Sequence, residues 1–335
     1  MSGDLDAFRA EARAWLEANF PASLKGRSAP GQAASTVETG DAGLWKQRMA
    51  DKGWGAPTWP VAYSGGGLNA REARVVQEEM ARVGAYNPCY VSLGLTMVGP
   101  TLLDYGTEEQ KQQHLPAIAR GEKIWCLGYS EPGAGSDLAS LQTKCEDKGD
   151  HWLINGSKIW TSGAHNADWA GVLVRTDPTA RKHSGISFIL IDMKNAGVDP
   201  RPIKMIGGAS PFCEVFFTDA KTPKDQLLGP LNAGWTVGKR LLQHERASQT
   251  GDNVTAPKIT PLQDLAKRYV GVDEDGKLAD LDLRSRVTEN LMHSKAHDLM
   301  IARAHAESKS NGSPTHTVSL FKASATYGSQ TRAEL

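Results

Sequence analysis

The stretch Tyr129-Ser130-Glu131-Pro132-Gly133-Ala134-Gly135-Ser136-Asp137 decides how the rest of the chain is read. Its Gly-Ala-Gly-Ser core offers backbone N–H groups that no side chain covers. Glycine reaches positive φ and lets the backbone approach a ligand closely. Successive free N–H groups in such a turn form a concavity for an anion. Ser130 and Ser136 add hydroxyls that donate or accept, which suits a phosphate or a polar heterocycle. A second polar knot, Trp160-Thr161-Ser162, follows on the C-terminal side. A G-x-G-S turn by itself is common, so its meaning rests on what surrounds it.

Upstream, helical signals dominate. Leu5, Phe8, Ala12, Trp15, Leu16 and Phe20 recur at three- and four-residue steps, which predicts a helix over 4–20 that Pro21 ends. Residues 26–41 are rich in Gly, Ala, Ser and Thr and read as a loop; a short helix is expected over 44–52. Ser64-Gly65-Gly66-Gly67 lacks the Gly-Lys-Ser/Thr continuation of a phosphate-binding P-loop. Ala73, Val76, Met80 and Val83 share one face of a helix over 71–83. The apolar run 90–103, holding Gly94 and Gly99, reads as a buried helix in close helix contact. Thr107 with Gln110 three residues later is a capping box, opening a helix through Ala119.

At Ile124 the pattern changes to strands. Residues 152–154 and 158–161 flank Asn155-Gly156, a strong hairpin-turn dipeptide, so a hairpin is expected there. Residues 169–175, 186–192 and 213–217 are β-branched or aromatic runs bounded by turn residues. Helices return at 235–249, 262–270, 281–308 and 321–335. The expected plan is α+β: an N-terminal all-α domain over 1–122, a middle antiparallel β domain over 123–230, a β-barrel or stacked sheets, and a C-terminal helical domain over 231–335.

Composition narrows the function. The chain's 335 residues exceed one typical domain and suggest two or three. Hydrophobic content of 40% with 23% charged residues is an ordinary globular balance. Formal net charge is zero, so no overall field draws the chain to nucleic acid or an anionic membrane. No apolar run approaches the roughly 20 residues that span a bilayer. Cys89, Cys126, Cys145 and Cys213 form no C-x-x-C pair and the start lacks a signal-peptide pattern, which points to a reducing cytoplasm without disulfides or a cysteine metal site. His293 and His297 stand i, i+4 on a helix but lack an HExxH glutamate and read as solvated helix surface, so no metal is expected. Ser136 and Ser162 lack the G-x-S-x-G elbow of a hydrolytic nucleophile.

Several of these pieces together resemble the acyl-CoA dehydrogenase family of flavoproteins. They are Gly106-Thr107-Glu108-Glu109-Gln110-Lys111, Leu115-Pro116, Gly121-Glu122, the stretch 130–137, Asn155-Gly156-x-Lys158-x-Trp160, and Gly234-Trp235, in the family's order and spacing. The resemblance runs from the first helix to about residue 250. It implies an N-terminal helical domain, a middle β domain and a C-terminal four-helix bundle, and it implies FAD. By the same resemblance Leu127, Tyr129 and Ser130 line the flavin ring, with Ser130 at its pyrimidine edge. Gly135 and Ser136 meet the flavin diphosphate and the thioester substrate. Trp160 packs on the flavin, and Thr161 and Ser162 reach its ring near N5. An acyl-CoA substrate, electron-transfer flavoprotein as acceptor, a role in fatty-acid metabolism, and a homo-dimer or homo-tetramer are what membership would imply.

Glu245 is the remaining candidate. On the helix over 235–249, Trp235, Gly238, Leu241, Leu242 and Glu245 fall on one face, so a carboxylate extends an apolar stripe. Desolvation there would raise its pKa toward that of a useful base. One branch of the family keeps its base at this place, where Glu245 is followed by Arg246, a residue expected on the substrate side. In the larger branch the base lies in a Tyr-Glu-Gly-Thr pattern nearer the C-terminus. This chain stops at Leu335, so the C-terminal domain is expected to be incomplete, and a base beyond Leu335 or an ion-pair role for Glu245 stays open. The family's Arg-Lys-x-Phe-Gly run is missing, and 252–282 hold Asp, Gly and Pro clusters instead. That weakens an inter-subunit flavin contact and suits bulky, dicarboxylic or alicyclic acyl groups. A non-catalytic partner subunit, or an O₂-reactive enzyme on the same fold, are the alternatives.

Overall fold

The apolar steps at the start of the chain close on a helical layer. In the computed structural model, α1 (Ser2–Asn19) lies against α3 (Ala70–Val83), with α2 (Gly40–Asp51) beside them. Ala12, Leu16, Trp45, Met49, Trp54, Val76 and Met80 form their core. The structure describes residues 2–27, 36–250, 260–311 and 316–335, so part of the loop expected over 26–41 lies outside the described residues. The chain forms two compact units, Met1–Pro257 and Lys258–Leu335. Helix α3 opens with a capping box between Asn69 and Glu72, and α5 (Glu108–Ala119) with the expected one between Thr107 and Gln110. The apolar run 90–103 is a π-helical turn, Gly94–Val98, leading into the short helix α4 (Gly99–Tyr105). Gly99 is required there, because a Cβ would lie 2.0 Å from the buried Trp59 ring.

The middle of the chain is a seven-stranded curled sheet, a half-barrel. Its strands are β1 (Trp125–Gly128), β2 (Lys144–Asp147), β3 (His151–Ser162), β4 (Trp169–Arg175), β5 (Ile186–Asp192), β6 (Val198–Ile203) and β7 (Phe212–Pro223). The path runs β1-β4-β2-β3-β7-β6, with β5 on β4. Four of the six pairs are antiparallel as expected, but β1 and β2 both run parallel to β4. Cys126, Ile154, Val172, Ile189, Cys213 and Val215 form the sheet's buried core. All four cysteines are free and buried.

One expectation fails outright. Asn155-Gly156 is not a hairpin turn but lies inside the continuous strand β3. Asn155 is occupied across the ladder, accepting from the Asp219 N–H at 2.8 Å and donating to the Asp219 carboxylate at 3.0 Å. Gly156 sits at φ 145° in a register shift, where a Cβ would meet Thr143 Cα at 2.8 Å. The turn falls earlier, where Asp147 accepts from the Gly149 N–H between β2 and β3.

Helix α6 (Gly234–Thr250) packs on β4, β5, α4 and the π-helical turn. Val237 and Leu241 are fully buried there in a core shared with Val98, Leu102, Trp125, Leu173 and Phe188. This shared core makes the helical layer, the sheet and α6 one unit.

The second unit holds α7 (Leu262–Val270), α8 (Leu281–Asn311) and α9 (Phe321–Ala333). Asn290 on α8 donates to the Gly328 carbonyl and to Thr331 Oγ1 on α9, at 3.1 and 2.8 Å. His293 and His297 are not solvated helix surface, as the sequence suggested. His293 lies edge-on to the Tyr327 ring, and His297 Nδ1 is 3.0 Å from Ser324 Oγ. Among the described residues no helix is long and apolar enough to cross a membrane, and no group of three His, Cys, Asp or Glu could hold a metal ion.

Candidate active site

Strand β1 delivers the chain into the 129–137 loop. The backbones of Glu131 and Ala134 exchange two hydrogen bonds of 3.0 Å, closing a tight turn. That turn leaves Gly133, Gly135 and Ser136 exposed, with open space where a Cβ on either glycine would point. The Glu131 side chain turns inward instead. It accepts from the N–H groups of Gln142 and Thr143 at 2.6 and 2.8 Å, and from Lys158 Nζ at 2.8 Å. Lys158, fully buried on β3, also donates to the Tyr129 carbonyl at 3.0 Å. Burial opposes the Glu131 charge, but Lys158 and the hydrogen bonds outweigh it and hold the carboxyl below its usual range. The same burial draws the Lys158 ammonium down to about 8 despite its partner. Behind the loop, Arg175 donates to the carbonyls of Ala139, Leu141 and Lys182.

The second polar knot lies beside the first. Ile159 donates its N–H to the Ser130 carbonyl at 2.8 Å, so Ser130 and Trp160 are neighbours across this stitch. The β3–β7 register slips between Lys158 and Thr161, and Trp160 sits in this bulge at φ 60°. Its indole is 53% exposed and edge-on to Phe212. Ser162 is half-buried. Thr161 points the other way, into the interior with Cys126, Gly128 and Val215, and its hydroxyl is buried without a hydrogen-bond partner.

Helix α6 forms the facing wall. The half-buried Tyr129 donates its hydroxyl to the Gly238 carbonyl at 3.3 Å, and its ring meets Phe188 edge-on. Burial pushes the Tyr129 phenol up, and the Glu245 carboxylate pushes it the same way, so Glu245 lies within electrostatic reach of the loop. Of the expected face of α6, Gly238 and Leu241 are buried, while Trp235, Leu242 and Glu245 are half-buried. Arg246 is exposed. Leu127 packs against the shared core.

The structure thus brings Tyr129 to α6 and Leu127 to the shared core, and sets Ser130 beside Trp160. Gly135 and Ser136 lie on the outer turn, and the Thr161 side chain is separate from all of them. Sequence reasoning assigned no role to Glu131, Lys158 or Arg175. The available signal was parity: Lys158 falls on the inward side of β3, as Trp152 and Ile154 do.

The residues fit a flavin: an exposed glycine turn with a serine hydroxyl, Ser130 joined to the strand of Trp160, and a flat, exposed aromatic. Comparison with known proteins identifies the family. Residues 2–122 match the family model described as acyl-CoA dehydrogenase, N-terminal domain, and residues 126–220 that described as acyl-CoA dehydrogenase, middle domain. Acyl-CoA dehydrogenase IpdE1 of Mycobacterium tuberculosis is 41% identical over 277 residues, 81% of this chain and 71% of that protein. The Tcur3481-Tcur3483 steroid ACAD superposes with a TM-score of 0.73 at 31% identity, over 98% of this chain and 82% of that one. The ChsE4-ChsE5 complex from Mycobacterium tuberculosis gives 0.70 at 27% identity, over 99% and 84%. The two family models and these relatives define the class, a family of oxidoreductases. The chain belongs to the acyl-CoA dehydrogenase family, whose members bind FAD.

Proposed function

We propose that this chain binds FAD and dehydrogenates an acyl-CoA thioester to the trans-2-enoyl-CoA, with Glu245 as the base. The observation that supports this reading is the hydrogen bond of Tyr129 to Gly238 on α6, the helix that carries Glu245 further along, with Glu245 within electrostatic reach of the Tyr129 phenol. Ser130 would bond the pyrimidine edge of the ring, and Trp160 would pack on it. Ser162 would face the ring near N5, while Thr161 would contribute only its backbone, because its hydroxyl points inward. The N–H groups at Gly135 and Ser136 would meet the diphosphate, and Ser136 with Arg246 the substrate. Bound FAD would supply the two-electron acceptor for the β-hydrogen. A Glu245 carboxylate oxygen would take the α-proton from a position flanked by Leu241 and Leu242, where apolar neighbours limit water. Electron-transfer flavoprotein is the proposed acceptor. The names of the steroid ACAD and of the ChsE4-ChsE5 complex favour a bulky alicyclic acyl group and, as the second reading, a place in an assembly of unlike subunits.

The test is Glu245→Gln, mixed anaerobically with acyl-CoA. The variant should keep FAD and reduce it at least ~10²-fold more slowly, on the scale usual for a general base. A near-wild-type rate would remove Glu245 from the role. A colourless wild type that gains no flavin absorbance on incubation with FAD would defeat the whole reading.

A further inference from the structure

We propose that Lys158 is a positioning residue: with Glu131 it pre-forms the corner made by the 129–143 loop and the Trp160 bulge before any ligand arrives. This rests on the reading of that corner as the flavin site.

The connections are specific. One ammonium binds the Tyr129 carbonyl at the start of the loop and the Glu131 carboxylate within its turn. Glu131 in turn binds the N–H groups of Gln142 and Thr143 on the returning segment. Beginning, turn and return of the loop are therefore tied to one side chain of β3. Lys158 is also the last residue paired with β7 before the ladder slips; pairing resumes at Thr161. Trp160 lies within that slip at positive φ, a conformation that bulky residues hold only when their flanks are fixed. Lys158 fixes one flank, and the Thr161 pair with Cys213 fixes the other.

Gly128 on β1 supplies a separate observation. A Cβ there would lie 3.1 Å from Lys158 Cγ and 3.2 Å from Val172. The strand under the lysine stem is pared to glycine at the place where the stem crosses it.

Stability alone does not account for the pair. Burying two opposite charges gains little over well-packed apolar groups of the same volume, because desolvation offsets their attraction. An apolar residue at 158 would fill the same space, but it could not hold the Tyr129 carbonyl and the Glu131 carboxylate together. What the pair adds is geometry fixed in advance, which strengthens binding by lowering the ordering that the ligand must impose.

The experiment separates holding from stabilising. Glu131→Gln combined with Lys158→Met fills the lysine's space and keeps an acceptor for one of the two N–H groups, which bind separate carboxylate oxygens in the wild type. In the full chain purified without added flavin, this double variant should still fold with a cooperative urea transition, its midpoint lowered only by the one lost N–H acceptor, yet bind FAD at least ~10-fold more weakly by fluorescence quenching. A folded double variant of wild-type FAD affinity overturns the proposal. Should it fail to fold, hydrogen exchange on the wild type decides: the Gln142 and Thr143 amides should be protected before FAD is added. Free exchange that stops only on adding FAD shows a corner formed by the ligand, and overturns the proposal. A wild type that takes up no FAD while these amides are protected sinks the flavin reading and leaves the pre-formed corner standing.

Discussion

Replacing Glu79 with glutamine should loosen the joint between α1 and α3 by an amount that depends on pH. The Glu79 carboxylate accepts from Arg9 at 3.2 Å, from Arg13 at 2.9 and 3.1 Å, and from Arg82 at 2.8 Å. The hydrogen bond from Arg13 is the largest influence; with those from Arg82 and Arg9 it outweighs burial and brings the carboxyl from 4.5 down to about 2. That fall corresponds to a ceiling of about 3 kcal/mol. The Glu79 side chain is only 3% exposed, but the three arginines are 34–46% exposed, so water screens the pairs. The expected loss in Glu79→Gln is therefore about 1.5–2 kcal/mol at pH 7. The sign follows from the depressed pKa. Native Glu79 stays ionised where the unfolded chain binds a proton, so its contribution is complete above pH 4.5 and declines as pH falls toward 2. Urea denaturation of both proteins at pH 7, 5 and 3.5 checks this. The gap should hold between pH 7 and 5 and narrow at 3.5. Equal stability at pH 7, or a gap that stays constant down to pH 3.5, would refute the reasoning.

Two other substitutions probe the packing and the site. Gly99→Ala sets a methyl 2.0 Å from the Trp59 ring, and should destabilise by about 3 kcal/mol, read as a lowered urea midpoint. Thr161→Val removes a buried hydroxyl that has no partner, so stability should hold or rise by up to about 1 kcal/mol while FAD affinity stays unchanged. A fall in affinity would place that hydroxyl at the flavin after all.

The helical layer and the long strands were legible because their signals are local. The three- and four-residue steps of α1 and the Thr107–Gln110 box each fix their element without help from distant chain. The strands β4 and β5 follow residue for residue from their β-branched runs. Where the sequence misled, a distant contact decided. Asn155-Gly156 has the chemistry of a tight turn, but Asn155 meets Asp219 across the ladder and Gly156 meets Thr143, contacts that its neighbours in sequence do not announce. Strand β6 carries Pro200 and Pro202, which argue against a strand until β6 proves to lie at the end of the pairing path, where an edge strand tolerates proline.

At the site, residue types were readable but directions were not. Thr161 and Ser162 were expected to act as a pair, yet successive strand residues point to opposite faces, so a regular strand can offer only one of them to a given surface. Which one depends on the bulge at Trp160, since an inserted residue reverses the parity of all that follows. The bulge lies between Lys158 and Thr161, and with it Lys158 and Thr161 both face inward although three positions separate them. The same irregularity that turns the Thr161 hydroxyl away from the surface exposes the Trp160 indole. A sequence read without its register shift therefore gives the residue types but not which way the Thr161 side chain points. The buried lysine beside the shift is the part of the motif whose role only the fold makes visible.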